Sequence, residues 1–279
     1  MLTLPIVLLV GSLFTITAVG VAVACWLCVG TERLQRVRTN RTRLRHRVRT
    51  VAPFVAVLAA VLVVNKGLQD RIEQFSHAYG FDATATLYAI EGDFVLTLQG
   101  VIPDIAMIYF AAVYVIGYAV LLVTPFVIYL FADRVRPLAV LVVAYAINYA
   151  VAVVCYALVV AYGPRNAGRE SDGSSADAPL LELVPDITVI TAQVNTHTNV
   201  FPSLHTSLSL TVLLVAAGTR EEFRRWFGLA MVLAVSIVVS TMALGIHWAT
   251  DVVAGAALAI VAVALARPVI DRLTSPRAR

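Results

Sequence analysis

Residues 106–131 read AMIYFAAVYVIGYAVLLVTPFVIYLF, a stretch without one charged side chain. As a helix it would extend about 39 Å at ~1.5 Å per residue, enough to cross a hydrocarbon core about 30 Å thick with some tilt. A helix is the reading that works, because backbone inside lipid must satisfy its own hydrogen bonds. Six further apolar segments can be marked at 2–29, 51–66, 138–162, 203–219, 228–245 and 247–266. The whole chain is 60% hydrophobic and 14% charged, whereas soluble domains are about half apolar and about a quarter charged. The expected fold is therefore all-α, a polytopic membrane helix bundle of about seven transmembrane helices.

The charges orient that bundle. Residues 31–50, TERLQRVRTNRTRLRHRVRT, carry eight arginines and one glutamate, and by the positive-inside rule this loop is cytoplasmic. Alternation then assigns every other loop, placing the N-terminus outside and the C-terminus inside. The inner loops and tail hold 17 of the 21 basic residues, while Lys66, Arg71, Arg165 and Arg169 fall outside with eleven acids. Anionic headgroups account for the arginine loop, so the net charge of +4 does not call for a nucleic-acid partner. The partners expected are the bilayer and a substrate within it, in a multi-pass protein of the cell membrane. Cys25, Cys28 and Cys155 lie in apolar runs, where they behave as small hydrophobes and support neither a disulfide framework nor a metal site.

Four regions follow. Residues 1–66 form a two-helix region around the basic loop, 67–105 an outer interfacial segment, 106–266 a helix bundle, and 267–279 a cytoplasmic tail. The first helix lacks a basic leader and has its arginines on the C-terminal flank, as expected of an uncleaved anchor. In LQDRIEQFSHAYG, Leu68, Ile72, Phe75 and Tyr79 recur at helical spacing, which fits either a helix flat on the outer interface or part of a packed cap. The loop 163–202 includes GRESDGSSADAP, a turn-rich linker.

With that topology, ionisable and hydroxyl groups gather at one membrane level. The fourth helix ends outside at Arg165 and Arg169; the fifth begins with Ser203 and His205; the sixth and seventh meet at Ser240, His247 and Asp251. Intramembrane groups of this kind are functional candidates. His247 and Asp251, four residues apart, share a helix face, so the carboxylate can orient the ring and support its charge. Pro202 suits a first helical turn, whose free N–H groups attract an anion beside Ser203 and His205. Two arginines, a helix N-terminus, hydroxyls and two histidines describe a receptor for phosphate. An imidazole supported by a carboxylate can attack phosphorus while a second, protonated imidazole serves the leaving oxygen. Such chemistry requires neither a metal nor another cofactor.

These residues resemble the type 2 phosphatidic acid phosphatase superfamily, whose fingerprint is K-x6-R-P, P-S-x-H and S-R-x5-H-x3-D. Pro202, Ser203, Leu204 and His205 match the second element, and Ser240, His247 and Asp251 match the third, with Thr241 in place of its arginine. The resemblance spans roughly residues 105–266 and implies a six-helix-type phosphatase core. It implies that His247 is the nucleophile, Asp251 its orienting partner, His205 the general acid and then base, and Ser203 a phosphate ligand, joined by Ser240. The first element is not intact. Arg136–Pro137 and Arg267–Pro268 both fall on the inner side, so Arg165 is the better placed substitute, with Arg169 second. The missing arginine at Thr241 is similar to the branch containing inositol phosphorylceramide synthase, which passes a phosphorylated headgroup to an alcohol.

Simpler roles stay open at several positions. His205 alone could be an interfacial or capping histidine, Asp251 a helix N-terminal charge, and His197 an ordinary loop residue. Ser207 and Ser209 are expected to bond their own helix backbone. Asn148, with Tyr145 and Tyr149, could line a groove or pack between helices, and Lys66 could reach phosphate or anchor at the interface. The leading expectation is a phosphohydrolase of lipid phosphates or pyrophosphates. A phosphotransferase between lipids, or a lipid transporter or scramblase using the same cluster for binding, are the alternatives; the lack of an evident internal repeat disfavours a repeat-built transporter.

Overall fold

The computed structural model describes residues 4–29, 41–167 and 200–274. These form a polytopic helix bundle. In chain order its long helices are α1 (Leu4–Val29), α2 (Arg41–Tyr79), α5 (Asp104–Leu130), α6 (Arg136–Leu158), α7 (Leu204–Gly218), α8 (Arg224–Ala243) and α9 (Ala249–Thr274); two short helices, α3 (Thr84–Glu91) and α4 (Phe94–Val101), separate α2 from α5. Among the described residues six helices are long and apolar enough to cross a membrane, and α7 is a shorter apolar helix. At ~1.5 Å per residue the 15 residues of α7 span only about 22 Å. Each of the seven apolar segments marked in the sequence coincides with one of these helices.

The shortest of the seven long helices is also the central one, since α7 packs against α5, α6, α8 and α9. Its hydroxyl groups explain how a polar-flecked segment sits in a core. Ser207 Oγ donates to Asn148 Oδ1 on α6, and Asn148 Nδ2 donates to Thr211 Oγ1 at 3.1 Å and to Ala144 O at 2.7 Å. Ser207 thus bonds across helices instead of to its own backbone, and Asn148 is an interhelical packing residue. Ser209 Oγ is buried without a hydrogen-bond partner.

The helical spacing at 68–79 belongs to a longer helix. Residues 41–79 form one 39-residue helix, because nothing between Asn65 and Tyr79 breaks it; Gly67 costs helix stability but has open space around it. Lys66 lies on this helix and donates to Gln69 Oε1 at 2.8 Å. The chain then turns back through Phe81–Asp82, which pairs in parallel with Val159–Val160 after α6. Helices α3 and α4 follow as a cap over the ends of α8 and α9.

Because α5 to α9 alternate in direction, the starts of α5, α7 and α9 share one end of the bundle with the ends of α6 and α8. The opposite end carries the arginine contacts: Arg136 forms a paired contact with Asp271 (2.6 and 2.8 Å), and Arg47 donates to Leu130 O at 2.6 Å. Asp271 is five and a half turns along α9 from Asp251, about 30 Å. The R-P pair at Arg136–Pro137 is thereby removed from the histidine end by the length of the bundle.

Candidate active site

His247 sits in the turn between α8 and α9, and that turn is fixed by backbone chemistry. Thr241 O accepts from both Ile246 N (2.9 Å) and His247 N (3.1 Å), and Gly245 N donates to Met242 O at 2.8 Å. Gly245 takes φ +62°, a left-handed conformation that suits glycine. Its carbonyl accepts from Arg165 N at 3.0 Å, and Gly163 lies so close to the Ile246 carbonyl that a Cβ has no space. The segment carrying Arg165, a single helical turn at Pro164–Ala167, is therefore laid directly on the turn carrying His247.

Asp251 is the third residue of α9 and is fully buried, as His247 nearly is. Its Oδ2 accepts Trp248 N at 2.8 Å, the backward arm of a capping box, and lies 3.6 Å from His247 Nδ1. That separation is longer than a hydrogen bond. His247 Nδ1 and Asp251 Oδ1 are both buried without a hydrogen-bond partner, so a small rotation of either group would pair them. Catalytic contacts are commonly this loose without substrate.

His205 approaches from the first turn of α7, with its ring centroid 6.3 Å from that of His247. Tyr114 stacks on one side at 4.4 Å with a 21° tilt, and Tyr118 packs at 4.3 Å with 37°. Tyr114 lies within the π-helical turn Val113–Gly117 of α5 and Tyr118 follows it directly. Such turns frequently mark functional sites. The motif reading missed these two tyrosines, since in an apolar run they look like core residues; the four-residue spacing was the available signal.

The start of α7 differs from the expectation in one detail. Pro202 lies ahead of the helix, joined to Phe201 by a cis peptide bond, and Ser203 is the N-cap. Ser203 N donates to Asp251 O at 3.1 Å and Pro202 O accepts from Tyr156 OH at 3.2 Å, so this segment is tied in extended form to α9 and α6 before the helix begins. Ser203 Oγ accepts from Thr206 N at 3.3 Å and donates to Thr206 Oγ1 at 3.0 Å. Ser240 Oγ donates to Ile237 O and Thr241 Oγ1 to Val238 O, each at 2.7 Å. All three hydroxyls are buried and engaged within their own helices. Arg169 and His197 lie outside the described residues.

Thus His205, His247, Asp251, Ser203, Ser240 and Arg165 come from three separated stretches to one end of the bundle. A family model described as the PAP2 superfamily matches residues 93–265. The chain belongs to the PAP2 superfamily. This match covers the cap helix α4, all of α5 to α8 and most of α9, and so includes every described residue of the cluster. Comparison with curated proteins and with solved structures gives no significant match. PAP2 proteins are generally phosphatases or phosphotransferases, and this membership supports an enzyme of that type acting on a lipid phosphate in a bilayer.

Proposed function

We propose that this PAP2 protein removes phosphate from a lipid phosphate or pyrophosphate through a phosphohistidine on His247, working at the outer face of the membrane. The observation that carries the reading is the buried His247–Asp251 pair with the His205 ring 6.3 Å away. With Nδ1 turned toward Asp251, Nε2 of His247 is the atom that attacks phosphorus. The new N–P bond forms as the P–O bond to the lipid breaks, and protonated His205 donates its proton to the departing oxygen. Neutral His205 then accepts a proton from water, whose oxygen attacks phosphorus and releases His247. Both rings lie close enough to reach one phosphoryl group.

Arg165, held beside Gly245 by its backbone, neutralises charge on the phosphoryl oxygens, with Arg169 as the second cation. Ser203 and Ser240 shape the buried side of the site; a direct phosphate contact from either requires its hydroxyl to leave its present partner. The outward orientation rests on the arginine-rich segment at 31–50. None of these steps requires a metal ion.

Purified protein in detergent should release phosphate from phosphatidic acid in the presence of a chelator, with a bell-shaped pH dependence because one imidazole reacts neutral and the other charged. Complete dependence on added divalent metal would contradict this mechanism. Thr241 supports a second reading, transfer to an alcohol, since the family arginine is absent and the threonine hydroxyl is turned into its own helix. A labelled donor supplied with a lipid alcohol separates the two: labelled lipid product supports transfer, and free phosphate or headgroup alone supports hydrolysis.

A further inference from the structure

The first turn of α9 carries Asp251 and begins two residues after His247, so whatever fixes that turn fixes the reacting pair. Trp248 N is satisfied by Asp251 itself. The next two N–H groups are claimed from outside the helix, by Glu91 at the end of α3. Ala249 N donates to Glu91 Oε2 at 2.8 Å and Thr250 N donates to Oε1. Both carboxylate oxygens are thus used on orphan donors of a helix start, where the helix dipole also favours negative charge.

The contact is more than a local cap because α3 is itself seated against the same turn. Leu87 packs with Ala83, Ala161, Val200 and Trp248, and Tyr88 meets the Trp248 ring edge-on at 6.2 Å. Trp248 Nε1 in turn donates to Tyr162 O at 2.8 Å. On the far side of the turn Gln99 of α4 donates to Ala243 O at 3.1 Å. The cap therefore grips both ends of the segment Ala243–Thr250, and Glu91 supplies the grip nearest Asp251. Glu91 precedes the residues matched by the family model, and no motif singles it out.

We propose that Glu91 is a positioning residue for phosphoryl transfer: its carboxylate clasps α3 onto the first turn of α9 and so fixes the presentation of His247 and Asp251. This rests on His247 being the nucleophile. A carboxylate that bridges two adjacent N–H groups resists both translation and rotation of the turn, and a misplacement of about 1 Å at a reacting group can cost about 100-fold in rate.

The test uses the full chain in detergent with phosphatidic acid as substrate, comparing Glu91→Ala, Glu91→Gln, Asp70→Asn and His247→Ala. Glutamine retains one oxygen acceptor, so kcat should fall about 10- to 100-fold in Glu91→Ala and less in Glu91→Gln, with KM within about twofold. Rapid-quench measurement should show phosphoenzyme formation slowed to match, while Glu91→Gln keeps its thermal midpoint. Asp70→Asn removes an exposed carboxylate on α2, away from the cap, and should leave kcat unchanged. If Glu91→Ala fails to fold, the Gln variant decides. Wild-type kcat in Glu91→Gln, or a rise in KM alone, together with an inactive His247→Ala, overturns the clasp and leaves the nucleophile standing. Full activity in His247→Ala overturns both.

Discussion

Replacing Gly245 by alanine tests the turn that presents His247, and its cost can be worked from the geometry. At φ +62° an L-residue pays about 1–2 kcal/mol for the left-handed conformation. The new Cβ would stand 2.8 Å from Gln99 Nε2 and 3.3 Å from Arg165 Cβ. The glutamine is the partner that can yield, and moving it sacrifices its 3.1 Å bond to Ala243 O, about 0.5–1.5 kcal/mol. The stiffer unfolded chain of alanine returns about 0.4–1 kcal/mol. A net destabilisation of about 0.5–3 kcal/mol is expected, read as a lower thermal midpoint by tryptophan fluorescence in detergent. The bonds from Thr241 O to Ile246 N and His247 N span this position, so relaxation of the strain displaces the histidine and lowers kcat as well. In a Gln99→Ala background the hydrogen-bond contribution is already gone, and Gly245→Ala should cost only the conformational part. Wild-type midpoint and wild-type kcat in Gly245→Ala would refute the reasoning.

Gly255→Ala should separate α9 from α7, since its Cβ would press into the Ser203 carbonyl and lie 3.1 Å from Thr206 Cβ; kcat measured per folded molecule is expected to fall, whereas Gly228→Ala, with open space around it, should not change it. Asn148→Ala removes the acceptor of Ser207 and the donor to Thr211 in the core, and should cost about 1–3 kcal/mol in a denaturation series, with Ser207→Ala added on top costing little more. Arg165→Ala should lower kcat/KM for phosphatidic acid about 10²- to 10³-fold, with Arg165→Lys intermediate because lysine keeps the charge but not the planar fork.

The bundle was legible because lipid imposes a simple rule on long apolar runs, and all seven segments became helices. The second helix overran its expected end, since the polar residues from Lys66 to His77 are as compatible with helix as the apolar ones before them and no proline intervenes. In the candidate site, the meeting of His205, His247 and Asp251 at one end of the bundle was expected from P-S-x-H and H-x3-D spacing and the topology. Arg165 was placed by topology, and the backbone bond to Gly245 sets its segment on the histidine turn. The supporting residues were not readable. Glu91, Gln99, Tyr114 and Tyr118 meet the site through contacts with residues far away in sequence, and no spacing within one segment encodes such contacts. Ser203 shows the limit of a motif from the other side: the motif puts it at the start of α7, and there its hydroxyl is spent on capping the helix.

The most direct test of the central claim is to trap the covalent intermediate. Protein mixed with phosphatidic acid carrying a labelled phosphate, quenched within one turnover and digested, should carry acid-labile, base-stable label on the peptide containing His247, and none in His247→Ala. A His205→Ala variant should form less label when the leaving group needs a proton and should release what it forms more slowly. Label on another residue, or full turnover by His247→Ala, would contradict the account.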